Sequence, residues 1–160
     1  MSKGIALWVW MCGTVVWSGH ALADEAADIV KANVAAKAST DKLLAVRRNL
    51  HQMRTSLGTA DKEAVDLILS SEESFDGFRN EAETVGMIFK SMDCKSDRTF
   101  VGAMFEEEAR SMVTRTGLTL QEINADLPLL TNPAALAEAT KLRDLIITLR
   151  EIYLPLAPKT

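Results

Sequence analysis

The chain holds two histidines and two cysteines in 160 residues. His20 and Cys12 fall in an N-terminal apolar segment, so the remainder has only His51 and Cys94 for imidazole or thiol chemistry. A metal or haem centre needs several such ligands. Neither the Glu-x-x-His pairs of a di-iron bundle nor a Cys-x-x-Cys-His haem-attachment run occurs, and no cofactor is expected. His51 follows Leu50 and lies beside Arg47, Arg48 and Arg54, the setting of a solvated surface histidine. Cys94 sits in the polar run Asp93-Cys94-Lys95-Ser96-Asp97, where Lys95 and Arg98 favour the thiolate. A cysteine nucleophile also wants a histidine base, and His51 is more than forty residues away. An intermolecular disulfide, or an inert thiol, suits Cys94 better than catalysis.

Carboxylates are plentiful, notably Glu72-Glu73, Glu81, Glu83 and Glu106-Glu107-Glu108. Most fall off the apolar stripes described below and read as a solvated face. Glu106 stands four residues before Arg110, the favourable order for a helical surface pair. Met87, Met92, Phe100, Met104, Phe105 and Met112 gather around the polar run at Cys94. Flexible thioethers suit adaptable binding surfaces, although core packing would also use them. Phe100 and Phe105 cannot both face one helical core, and Ile88, Leu129, Leu130 and Ile147 add apolar surface beyond the stripes. Met92, Cys94, Arg98, Phe100, Met104 and Phe105 are therefore the candidate binding residues.

The elements that carry these residues are helices. Ile29, Ala32, Ala36, Ser39, Leu43, Val46, Leu50, Met53 and Leu57 recur at alternating spacings of three and four, a heptad stripe on one long helix. Beyond Gly58-Thr59 the same rhythm returns at Ala64, Ile68, Ser71, Phe75, Phe78, Ala82, Val85, Phe89 and Met92. The short link folds the two into an antiparallel hairpin. Centred on that link, the register sets Phe89 against Ala32, Leu50 against Ser71 and Leu57 against Ala64. A helix of over thirty residues is about 45 Å long, so the molecule should be elongated. Ser96 or Asp97 can cap a third helix, carrying Val101, Met104, Phe105, Ala109, Met112 and Val113 and stopping near Gly117. Thr119 and Glu122 form a capping box for a short helix that Pro128 closes. Asn132-Pro133 starts the last helix, which runs to about Leu154. The expected fold is all-α: an elongated four-helix bundle built on a long heptad hairpin, with one extra short helix.

The N-terminus also supplies an address. Lys3, the apolar run Ile5 to Trp17 and the small-residue pattern Ala21-Leu22-Ala23 have the order of a cleaved signal peptide. The run is shorter than the roughly 20 residues that cross a bilayer. The expected organisation is a signal peptide over 1–23 and a single helical domain over 24–160, periplasmic or secreted in a bacterium. The segment carries all three tryptophans, and its removal makes the formal charge of −4 more negative by one. An acidic chain without a basic block is a poor match for nucleic acid or an anionic membrane. The expected function is protein binding, as an adaptor, a chaperone-like holder or an inhibitor or immunity protein, with a protein partner or a second copy. The alternative is a small-ligand sensor or carrier bundle with a pocket lined by Phe75, Phe78 and Phe89; an enzyme ranks below both.

Overall fold

A computed structural model describes residues 5–92 and 95–157, with side chains placed at 27–77, 79–92 and 100–157. Four helices follow in order: α1 Ile5–Met53, α2 Thr59–Ser91, α3 Lys95–Asp126 and α4 Pro133–Tyr153. Short 3₁₀ turns, Arg54–Ser56 and Leu127–Leu129, follow α1 and α3. The fold is an all-α bundle, and the described residues contain no strand. Each helix packs against its two neighbours in the cycle α1, α2, α3, α4, while the diagonal pairs barely touch.

Both heptad stripes do what their spacing predicts. Ile29, Ala36, Leu43 and Leu50 of α1 and Ile68, Phe75, Ala82 and Phe89 of α2 are buried in one continuous core. The hairpin register also follows the expected one. Arg54 pairs with Asp66, Arg47 with Glu73 and Thr40 with Glu83, each within two residues of the expected alignment. At 33 residues, α2 is about 50 Å long at 1.5 Å per residue. The side chain of Asn132 accepts hydrogen bonds from the backbone N–H groups of Ala134 and Ala135, at 3.0 and 3.1 Å, and Pro133 opens α4 as the sequence indicates.

Three expectations need correction. Gly117 does not end a helix, and residues 119–126 belong to α3 rather than to a separate short helix. Ala109, Met112, Thr116, Thr119 and Ile123 form one buried stripe at spacings of three and four, and its packing carries the helix through the glycine. No glycine among the described residues has positive φ, so the left-handed terminator that glycine favours is not formed at Gly117. Leu130, taken as spare apolar surface, is buried, whereas Ile88, Leu129 and Ile147 are exposed. Arg110 pairs with Glu107 at 2.7 Å rather than with Glu106.

Candidate functional site

The predicted binding residues divide at the α2–α3 end of the bundle. Phe105 is 1% exposed and packs on Tyr153 of α4, with ring centroids 6.1 Å apart; it is part of the core. Phe100 is 68% exposed and Met104 44%, which resolves the conflict between the two phenylalanines. Met92 closes α2 and is partly buried. Cys94 and the side chain of Arg98 lie outside the described residues.

Phe100 and Met104 share a groove with α2. A Cβ placed on Gly102 would stand 3.7 Å from the Phe89 ring, so α2 and α3 run close together here. Burial, then the Glu81 carboxylate of α2 and then Glu107, hold the Glu108 carboxyl above its usual range; Glu81 and Glu108 thus border the same groove. Ile88 lies two turns beyond Glu81, and Met104 and Phe100 lie one and two turns before Glu108, so helical spacing keeps all of them near that groove. Ile88 is also exposed. The outcome is an apolar strip bordered by carboxylates.

A second constellation, inside the bundle, escapes the sequence analysis. Glu72, read as part of a solvated face, is fully buried, and Arg79 nearly so. Arg47 reaches across from α1 to three carboxylates of α2: Glu73 at 2.9 Å, Asp76 at 3.3 Å and Glu72 at 3.4 Å. Arg79 donates to Asp76, with Nε at 3.0 Å, and its Nη1 stands 3.8 Å from Glu83. Thr40 donates to Glu83 at 2.5 Å. Neither carboxyl oxygen of Glu72 has a hydrogen-bond partner, and the Tyr153 hydroxyl is likewise buried without one. Burial drives the Glu72 carboxyl up to about 7 against the attraction of Arg47 and Arg79. Burial, and then the nearby Glu83 carboxylate, push the Tyr153 hydroxyl upward too.

This constellation leaves a trace in the sequence. Val65, Ile68, Glu72, Phe75, Arg79, Ala82, Gly86 and Phe89 alternate spacings of three and four, and all are buried. A search for apolar repeats passes over that stripe because Glu72 and Arg79, one heptad apart, occupy two of its positions. A four-helix core also claims a wider face than a two-helix stripe.

A recess of about 290 Å³ lies between α1, α3 and the segment after α4, lined by Asp28, Ile29, Phe105, Glu106, Pro155 and Leu156. Phe75 and Phe89 are packed into the core; the side chain of Phe78 lies outside the described residues. Among the described residues no three His, Cys, Asp or Glu side chains are grouped to hold a metal ion, and no helix is long and apolar enough to cross a membrane. No protein-family model matches the chain, and neither a curated protein nor a solved structure matches it.

Proposed function

We propose that this chain is a helical binding module, exported to the periplasm or secreted, that recognises another protein through the α2–α3 groove. The observation that carries the proposal is the outward position of Phe100 beside Met104 and Ile88, with Glu81 and Glu108 along the same groove. Aromatic and methionine side chains are favoured anchors in protein interfaces, and a charged rim sets orientation. An amphipathic helix laid along the groove would bury these anchors and meet the acids with basic residues. The export half of the proposal rests on the order Lys3, Ile5 to Trp17 and Ala21-Leu22-Ala23.

A photo-crosslinking amino acid at Phe100 in living cells tests the binding half. A specific adduct is expected there and not from the same group at Thr114, an exposed position on α3. Equal labelling at both positions, or at neither, would overturn the proposal. Fractionation and N-terminal sequencing test the export half; the expected mature terminus is Asp24. A small-ligand carrier is the second reading, favoured by the recess at Asp28, Phe105 and Glu106. Native mass spectrometry of the purified protein separates the two, since a retained small mass supports the carrier and a second polypeptide supports the module.

A further inference from the structure

The α1–α2 interface differs from the other three. It holds Arg47, Glu72, Asp76, Arg79, Glu83 and Thr40, whereas Phe105 and Tyr153 join α3 to α4 through an aromatic contact. Of the neighbouring helix pairs, α1 and α2 have the least backbone contact. Long side chains that converge on ion pairs keep the backbones apart, and a seam of this kind is sensitive to the charge it encloses. A buried carboxylate costs free energy unless hydrogen bonds replace those it made to water. Glu72 has an ion pair to Arg47 at 3.4 Å and no hydrogen bond to either oxygen. The charged groups that act on it most are Arg47 from α1 and Asp76, Arg79 and Glu73 from α2; from α4 the Tyr153 hydroxyl faces Glu83 and Arg79 of the same seam. Two arginines thus face Glu72, Glu73 and Asp76, with Glu83 close to Arg79.

We propose that the α1–α2 seam is a proton-operated latch: with Glu72 protonated the seam closes on a neutral acid, and with Glu72 ionised it encloses a carboxylate that no hydrogen bond compensates and adds to the charge of Glu73, Asp76 and Glu83, so α1 separates from α2 more readily. The sign follows from which state holds the proton. With the carboxyl near 7 in the closed seam and at the ordinary glutamate value of 4.5 once water reaches it, the closed form alone keeps the proton between those values, so closure weakens as pH rises from the lower value and levels off above the higher one. The latch is independent of what the α2–α3 groove binds.

Hydrogen exchange of the α1 amides over 40–50 reads the opening equilibrium directly. Between pH 6 and pH 8 their protection factors should fall by about tenfold in the unaltered protein, the change that this difference in proton affinity implies. In Glu72→Gln, which keeps the shape and cannot ionise, protection should change little over the same range. Comparing the two removes the contribution of every other titrating group. An equal fall in both proteins, or a flat profile in the unaltered one, would overturn the latch. Should Glu72→Gln fail to fold, carboxyl-carbon NMR of the unaltered protein decides: a Glu72 midpoint near neutrality is expected, and a midpoint among the other glutamates would refute the proposal.

Discussion

The backbone N–H of Thr131 donates a 2.6 Å hydrogen bond to Oδ1 of Asp61, and the N–H of Asn132 donates to the same oxygen at 3.0 Å. The Thr131 hydroxyl donates to Oδ2 at 3.0 Å. One side chain in the first turn of α2 therefore fastens the link between α3 and α4 to the end of the α1–α2 hairpin. The N–H groups of Asn132 and Thr131 hold the Asp61 carboxyl below its usual range. Its contribution is present above the value for the unfolded chain and is lost as pH falls through the lowered folded value. Asp61→Ala should be less stable than the unaltered protein in urea at pH 7, and the gap should close in strong acid. A gap that persists unchanged at low pH would show that the carboxylate charge is not what the staple uses.

Gly117→Ala should raise stability by about 1 kcal/mol, the helix-propensity difference between the two residues. A Cβ at Gly117 would meet nothing within 4 Å, and the backbone there is already helical. Urea titration at neutral pH checks the sign; loss of stability would mean that the α3 backbone departs from helical geometry at this point.

The same residue shows where sequence pattern was informative and where it was not. Alternating spacings of three and four placed the two helices of the hairpin because each long stripe must bury one face, and the short link at Gly58-Thr59 set their register because it leaves little chain to shift one helix along the other. Local signals did less well at Gly117 and Thr119, where a stop and a capping box would each act alone on an isolated helix. Here the stripe through Met112, Thr116, Thr119 and Ile123 packs on both sides of the glycine and overrides them. At the candidate site the helix period put Phe105 on the core stripe and left Phe100 off it, as found, but it also put Met104 on that stripe, where the side chain is exposed instead, because the stripe that packs runs through Val101, Phe105, Ala109 and Met112. Glu72 was passed over for a different reason: its stripe is legible only once an acid and an arginine are allowed on it, and the Arg47 that faces the acid comes from another helix.

Phe100 and Phe105 should respond oppositely to truncation. Phe105→Ala opens a hole beside Tyr153 and should cost about 3–5 kcal/mol. Phe100→Ser combined with Met104→Ser alters one side chain that is mostly in solvent and one that is nearly half so, so the loss of stability should be about 1 kcal/mol at most, well below that of Phe105→Ala. The double variant should nevertheless lose the crosslinked adduct when the photo-reactive group is moved to Ile88, which isolates binding from folding. Adduct formation that survives the double change would place the partner elsewhere.

Tyr153→Phe should stabilise the protein although it removes a polar group from the core. The hydroxyl is buried without a hydrogen-bond partner, so folding strips it of water and gives nothing back. Removing such a group typically recovers about 1 kcal/mol. The ring keeps its place against Phe105, at 6.1 Å and an interplanar angle of 36°, so packing should be preserved. Thermal and urea unfolding of the variant give the sign. Higher stability identifies the hydroxyl as an uncompensated cost in the α4 face, whereas lower stability would show that in solution it joins the Arg79, Glu83 and Thr40 network beside it, making that network the larger contributor to the order of the core.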